Sequence, residues 1–362
     1  MKRRTFLYGG MGALAACTQP ATEGTAPSRS EERFRWRMVT SWPPNFPGHG
    51  VSANRLARRI EQLSDGRIEI QIFAAGELVP AFEVLDAVSR GTIELGHSAP
   101  IYWRGKLPAA QVFGSIPFGM LADEFNAWIY HGGGMELWRE AYGAQNVVPF
   151  LAGQTGPQMG GWFNREINSV DDLVGLKMRI PGLGGEVMQR AGVLPVNLPG
   201  SEIYTALQTG AIDATEWVGP YNDLAFGLHE AARYYYYPGW QEPSGALELL
   251  VSADAYASLP EDLQQIIATA CMAEADYVFA EFNVRNNQAL KTLVDEHGVQ
   301  LRRFPNDVLA ALRRYSAEVM EELAAGDPAI ARVYEAYTSF AENIAPWMAV
   351  SRRAHIEARD AV

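Results

Sequence analysis

At 362 residues, with 48% hydrophobic and 20% charged side chains, the chain is long enough for two packed domains and too apolar to be disordered. Its net charge of −12 excludes nucleic-acid binding through a basic face. An acidic protein that binds an anion must concentrate positive charge at one point, so a single buried arginine outweighs the overall field.

The N-terminus reads as an export signal over residues 1–17. Lys2-Arg3-Arg4 is the charged head, and Thr5 to Ala16 is apolar but too short to span a bilayer. Arg3-Arg4-Thr5-Phe6-Leu7 is similar to a twin-arginine signal, which directs the chain to the periplasm. Leu14-Ala15-Ala16-Cys17 is similar to a lipobox. Cys17 is then either a lipid-anchored first residue or an incidental cysteine in an ordinary cleaved signal. Residues 18–33 are rich in Thr, Pro, Ser and Glu and read as a flexible tether. Cys271, the other cysteine, lies in a helical stretch and reads as a small core residue; no disulfide framework or CxxC metal site can form.

From there strands and helices alternate, which predicts an α/β fold. Phe34 to Thr40 reads as a strand, Ser52 to Leu63 as an amphipathic helix, and Arg67 to Phe73 as a second strand with Ile68, Ile70 and Ile72 on one face. Pro80 to Arg90 predicts a helix closed by Gly91, and Thr92 to Ser98 a third strand. Residues 87–98 are echoed by 206–217: a helix end, a glycine (Gly91, Gly210), an isoleucine (Ile93, Ile212), an acid (Glu94, Asp213), then a strand. The echo predicts two similarly built α/β halves facing across a cleft, with His97-Ser98 and Glu216-Trp217 at equivalent strand ends. Beyond Pro260, residues 261 to about 296 predict a helix of about 50 Å that crosses both halves. Asn306 to Ala325, Pro328 to Asn343 and Trp347 to Arg359 read as further helices, with Pro346 as an interruption.

Candidate binding residues cluster in the aromatic, glycine-rich middle. Arg179 ends a strand that enters the turn Pro181-Gly182-Leu183-Gly184-Gly185, and its guanidinium fork matches a carboxylate with two bonds. A helix starting near Gly184 or Gly185 would add free N–H groups. The alternative is a structural ion pair. Glu216 sits where an incoming carboxylate would be repelled unless a cation lies between them. An oxygen-rich set of Glu216, Gln158 and the Trp217 carbonyl suits Na⁺, Ca²⁺ or Mg²⁺. The competing reading pairs Glu216 with Arg179 and leaves the metal no room. Glu242 is either a further carboxylate of the site or a loop charge. Tyr102 and Trp103 are either an apolar cleft wall or core. His97 reads as a packed, hydrogen-bonded histidine. For an enzyme there is no GxSxG elbow, no HExxH pair and no complete GxGxxG.

Several stretches together resemble the solute-binding proteins of tripartite ATP-independent periplasmic (TRAP) transporters, of the DctP type. They are Ala75 to Pro80, Gln158-Met159-Gly160-Gly161-Trp162-Phe163, Gly175 to Arg179, Gly210 to Tyr221 and Tyr234 to Trp240. The resemblance covers residues 34 to about 355 and is strongest to the α-keto-acid-binding branch. It implies two α/β domains that close on a small organic acid, 34–156 with 245–284 and 157–244 with 285–333. The acid implied is a 2-oxo or 2-hydroxy monocarboxylate. It implies Arg179 as the carboxylate clamp and Na⁺ or Ca²⁺ bridging substrate to Gln158, Glu216 and the Trp217 carbonyl. Gln154 stands where the branch tends to carry asparagine. Ile101-Tyr102-Trp103-Arg104 and Pro181-Gly182 also depart from it, which leaves the exact acid open. The implied partners are the transporter's membrane subunits and, through a helical tail at 334–362, a second copy of the chain. A secreted enzyme acting on a keto acid and a ligand-presenting sensor subunit are the other classes consistent with the same residues.

Overall fold

A computed structural model describes residues 32–361. The export signal with Cys17, and the tether as far as residue 31, lie outside the described residues. The folded part is a compact unit that begins at Arg33.

The strands in chain order are Phe34–Thr40 (β1), Ile68–Phe73 (β2), Leu95–Ser98 (β3), Val147–Gln154 (β4), Gly161–Phe163 (β5), Lys177–Arg179 (β6), Leu194–Val196 (β7), Ala214–Thr215 (β8), Tyr234–Tyr237 (β9), Ala246–Ser252 (β10) and Gln300–Arg303 (β11). They form two sheets, β2-β1-β3-β10-β4 and β11-β9-β5-β8-β6-β7. In the first, β1 runs parallel to β2 and β3, and β10 runs antiparallel to β3 and β4. In the second, β6 runs parallel to β7 and β8, and β5 runs antiparallel to β8 and β9.

Parallel neighbours need a crossover. In the first sheet the crossovers are the helix His49–Leu63 and the turn-and-helix Ala81–Ser89; in the second they are Gly182–Arg190 and Gly200–Gln208. The order β2-β1-β3 is thus repeated as β7-β6-β8. The twelve-residue echo is the end of this larger repeat, and its details coincide. Gly91 and Gly210 both turn the chain at positive φ, 67° and 71°, where a side chain would be strained. Ile93 N–H donates to the Ala87 carbonyl at 3.3 Å, and Ile212 N–H to the Ala206 carbonyl at 3.1 Å. Glu94 accepts from the backbone N–H of Arg37 at 2.8 Å, and Asp213 from that of Lys177 at 2.9 Å. Met38 faces Leu95 as Met178 faces Ala214, so His97 and Glu216 stand at corresponding strand ends.

The helix Glu261–Lys291 links the two cores. Leu263, Ile267, Ala270 and Cys271 bury against Met38, Leu95 and Phe150 of the first sheet. Val278 and Phe282 bury among Trp162, Trp217 and Tyr235 of the second. Its polar side is tied to the helix His49–Leu63: Arg55 grips the buried Glu274 at 2.7 Å, and Ser52 donates to the same carboxylate at 2.9 Å. A π-type turn carries the helix on to Glu296.

Two sequence expectations need correction. The predicted third strand is shorter, beginning at Leu95, because residues 91–94 form the turn that Gly91 allows. Pro346 does not interrupt the last helix. It lies inside Pro328–Met348, and the chain continues through a π-type turn, Ala349–Arg353, into Ala354–Asp360. Proline removes one hydrogen bond, and the helix continues through it where Pro346 is itself exposed. The start of this helix is docked on its own chain, where the Tyr337 hydroxyl accepts from the Met120 N–H at 2.6 Å. Past Pro346, Trp347 and Val350 are 65% and 72% exposed.

Glu248 on β10 is fully buried and accepts the Trp103 indole N–H at 2.5 Å. Burial pushes its carboxyl up to about 8, against the pull of Trp103 and Tyr142. A carboxyl with a raised folded pKa contributes stability that is complete below its unfolded pKa and is lost as pH rises through the folded value. Between about pH 4.5 and 8 this residue should therefore cost about 1 kcal/mol per pH unit. Denaturant unfolding at pH 5 and pH 8 should show a smaller loss of stability in Glu248→Gln than in the wild type. Equal losses would mean that Glu248 is ionised in the fold.

Candidate functional site

The carboxyl ends of the two parallel strand sets meet at a cavity. Its wall takes Trp42 from just past β1, Ala99 from past β3, Pro181 from past β6 and Trp217 from past β8. Both repeats thus contribute residues just past their strand ends, and Ala99 and Val218 stand at equivalent positions, as the strand-end rule for open α/β sheets leads one to expect. Gln158 and Glu242 come from two of the three segments that join the sheets. Gly245 permits the close fit there: a β-carbon on it would lie 2.6 Å from the Gln158 Nε2.

Arg179 ends β6 beside Thr215 of β8, which brings it against the next residue, Glu216. Each is 1% exposed. The Arg179 Nη1 donates to the Glu216 backbone carbonyl at 2.7 Å and to Glu216 Oε1 at 2.5 Å, and its Nε donates to the Leu198 carbonyl at 3.3 Å. Its guanidinium carbon lies 4.9 Å from the centre of the Trp217 ring. Among the described residues neither Nη2 nor Glu216 Oε2 makes a hydrogen bond of normal geometry; the Tyr102 hydroxyl is the group beside the guanidinium and the Gln241 amide the group beside the carboxylate. The two sequence readings of Arg179 thus coexist: one edge forms the ion pair, and one nitrogen remains free in a residue that lines the cavity. The helix that follows begins at Gly182, earlier than predicted, with Pro181 as its cap.

Gln158 Nε2 donates to Glu242 Oε2 at 2.7 Å, and Gln158 Oε1 has no partner among the described residues. Both carboxyls are held well above the ordinary range, Glu216 chiefly by burial with Arg179 pulling down, and Glu242 by burial and then by the charge of Glu216. Burial likewise pushes the Tyr102 hydroxyl up to about 12, so it lines the cavity as a neutral group. Among the described residues the only cation on the wall is Arg179.

Three candidate residues, Glu216, Gln154 and Trp103, lie off the wall, and His97 is packed and hydrogen-bonded as its sequence reading had it. Glu216 touches Arg179 without lining the cavity. Gln154 ends β4 fully buried, with its amide donating to Asn126 at 3.1 Å. Trp103 is in the core on Glu248, and His97 accepts the Trp42 indole N–H on Nδ1 at 2.8 Å. Sequence reasoning missed Trp42, His49 and Thr155, which do line it. The repeat carried the signal for Trp42, since it occupies in the first half the position of Gly182 in the second.

The donor set fits a hard cation. Glu216 Oε2, Gln158 Oε1 and the neighbouring Gln241 Oε1 are buried oxygens without partners among the described residues, and a buried polar atom left so costs about 1–3 kcal/mol. Among the described residues no three histidines, cysteines or acids cluster as in a zinc site, so the set is of the oxygen type that suits Na⁺ or Ca²⁺.

The family described as bacterial extracellular solute-binding protein, family 7 (DctP), matches residues 38–327. The chain is 45% identical to the monocarboxylate 2-oxoacid-binding periplasmic protein of Nostoc sp., over 94% of this chain and 92% of that one. It is similar to a TRAP periplasmic solute-binding protein from Pseudoalteromonas atlantica with bound sodium and pyruvate, with a TM-score of 0.87 and 42% identity over 90% of this chain and 99% of the other. It is also similar to a TRAP transporter solute-binding protein from Bordetella bronchiseptica, a mixed-occupancy dimer with copurified calcium and picolinate. There the TM-score is 0.89 and the identity 39%, over 91% and 98% of the two chains.

The free Nη2 yields a direct test. Arg179→Lys keeps the charge but loses the second nitrogen. Affinity for a carboxylate ligand should fall by about 2 kcal/mol, roughly thirtyfold, by isothermal titration. Unchanged affinity would put the carboxylate elsewhere.

Proposed function

The chain belongs to the DctP family of bacterial extracellular solute-binding proteins, and from that premise we propose that it captures a 2-oxo monocarboxylate for a TRAP transporter, with a sodium or calcium ion bound beside it. The observation that carries this reading is the half-used pair of Arg179 and Glu216, which offers one free N–H edge and one free carboxylate oxygen. The guanidinium takes a carboxylate oxygen of the ligand. Glu216, Gln158, Glu242 and the Trp217 carbonyl would hold the ion. When bound, the ion supplies positive charge and a chelation point for the carboxylate and the 2-oxo oxygen together.

Charge supports the ion independently. When both are ionised, Glu216, Glu242 and the ligand carboxylate bring three negative charges against one guanidinium. A divalent cation cancels the excess of two. A monovalent one cancels half of it, and a protonated Glu242, favoured by its burial, removes the rest.

The reading is binding without turnover. Burial lowers His49 and His97 to about 3, so both are neutral and neither is matched to proton transfer near neutral pH. The proposed domains are 34–156 with 245–284 and 157–244 with 285–333, and Gln154 would support the site from outside its wall. Export by the twin-arginine route and an anchor at Cys17 remain part of the reading, as do the membrane subunits that receive the acid. No described helix is long and apolar enough to cross a membrane.

Isothermal titration of pyruvate into chelator-treated protein in sodium-free buffer should show weak binding. Restoring sodium or calcium should tighten it at least about tenfold, with reciprocal tightening of the ion, and mass spectrometry should recover the acid unchanged. Equal affinity with and without every cation would refute the bridging ion, and a new product would refute the receptor.

The exposed Trp347 and Val350 support a dimer through the C-terminal tail. Light scattering at micromolar concentration should give twice the chain mass, and a chain ending at Ala345 should give a monomer. A monomeric full chain would exclude a stable exchange of tails.

A further inference from the structure

Part of the cavity wall is aromatic, yet it is not fully satisfied. His49 is 3% exposed and lines the cavity; its Nδ1 makes no hydrogen bond of normal geometry among the described residues, and the polar group beside its ring is the Asn222 side chain, whose amide N–H is spent on the Pro47 carbonyl at 2.8 Å. Its ring centre lies 4.5 Å from that of Trp42, 5.7 Å from Phe282 and 5.9 Å from Trp217. The Trp42 indole nitrogen is already engaged by His97, whereas the Trp217 indole nitrogen, like His49 Nδ1, has no such partner.

The position of His49 is built. Gly48 precedes it at φ 70°, and a β-carbon there would stand 2.6 Å from the Phe282 ring. Only glycine lets the chain turn so close under the long helix, and that turn delivers the imidazole to the cavity at the start of the helix His49–Leu63. A nitrogen placed so tightly and left unpaired is costly unless the ligand completes it.

Resting on the proposed binding of a 2-oxo acid, we infer that His49 reads the substituent on the ligand's third carbon and favours a hydrogen-bonding group there over an alkyl group. The carboxylate and the 2-oxo oxygen are held at the Arg179 end. The Trp217 ring neighbours both groups, its centre 4.9 Å from that guanidinium carbon and 5.9 Å from the imidazole centre. The third carbon of a short acid is the part left to face the aromatic wall. A hydroxyl there can pair with the imidazole nitrogen, and a methyl leaves that nitrogen as bare as before. A second carboxylate is disfavoured, because Arg179 is the only cation that the described residues place on the wall. The ligand class is therefore a 3-hydroxy-2-oxo monocarboxylate or a close polar analogue.

The test is isothermal titration of pyruvate, 3-hydroxypyruvate and 2-oxobutanoate in the presence of the cation, the last two differing by hydroxyl against methyl. On the wild type, 3-hydroxypyruvate should bind about tenfold tighter than 2-oxobutanoate. That ratio should fall toward one in His49→Leu and recover in part in His49→Gln, which restores a polar atom. A wild-type ratio near one overturns the inference, and so does a ratio unchanged in His49→Leu. Should the leucine variant not fold, the wild-type ratio alone decides. If pyruvate binds and the ratio is one, only the role of His49 falls. If none of the three acids binds, the 2-oxo-acid reading falls and takes this one with it.

Discussion

The site turns on a buried ion pair that is left incomplete. Two charges taken out of water lose several kcal/mol of solvation each, and their attraction recovers this only when geometry is good and the remaining atoms are satisfied. Arg179 and Glu216 meet the first condition through a 2.5 Å contact and a second bond to the Glu216 carbonyl. They fail the second, since among the described residues neither Nη2 nor Oε2 makes a hydrogen bond of normal geometry. A chain selected for stability alone would close that fork or replace the pair with apolar groups. A binding site needs the opposite, since what is left unsatisfied is what a ligand can satisfy. The incompleteness is complementary in sign: a free donor for an anion beside a free acceptor for a cation.

What holds the pair in place is the repeat. Because β6 lies between β7 and β8, Arg179 at the end of β6 must sit beside the residue that follows β8. Asp213 fixes that register by accepting the Lys177 N–H, just as Glu94 does for Arg37 in the other sheet. Beneath the pair, Asp223 is wholly buried and takes the Trp162 indole N–H at 2.9 Å and the Tyr235 hydroxyl at 2.6 Å. The rings of Trp162 and Tyr235 stack at 4.0 Å. The floor of the site is therefore rigid and negatively inclined, and its charge adds to the burial that raises the Glu216 carboxyl.

Much of this arrangement is legible in the sequence. The echo between residues 87–98 and 206–217 can be read because each of its residues acts locally: a glycine turns at positive φ, an isoleucine is buried, and an acid accepts a backbone N–H. Cys271 can be read as core from its place on an apolar helix face, and it is 1% exposed. Features set by distant contacts are not legible. That Glu216 stands behind Arg179 rather than on the wall depends on how two strands pair, and that Gln154 turns to Asn126 depends on a helix elsewhere. Pro346 misleads because a proline inside a helix costs one hydrogen bond without having to end it, and here the helix runs on to Met348. His49 escapes notice because its signal, a histidine between two glycines, acquires meaning only when Phe282 arrives from 233 residues further along the chain.

That last contact shows why the long helix matters to binding as well as to stability. Its first half is core for one sheet and its second half is core for the other, so any opening of the cavity must leave it standing or bend it. Arg55 ties the helix His49–Leu63 to Glu274 and, at 2.9 Å, to Glu281, two turns apart on the long helix. The imidazole of His49 begins the helix so tied. Arg179 and Trp217 belong to the other sheet, which meets the same long helix through Val278 and Phe282. The two ends of the cavity are thereby referred to one rod. A rod fixes the span between the carboxylate end and the aromatic wall, and a fixed span limits ligand length more strictly than flexible side chains could. It is a reason for the cavity to accept a short acid and to discriminate by what the third carbon carries rather than by how far the chain extends.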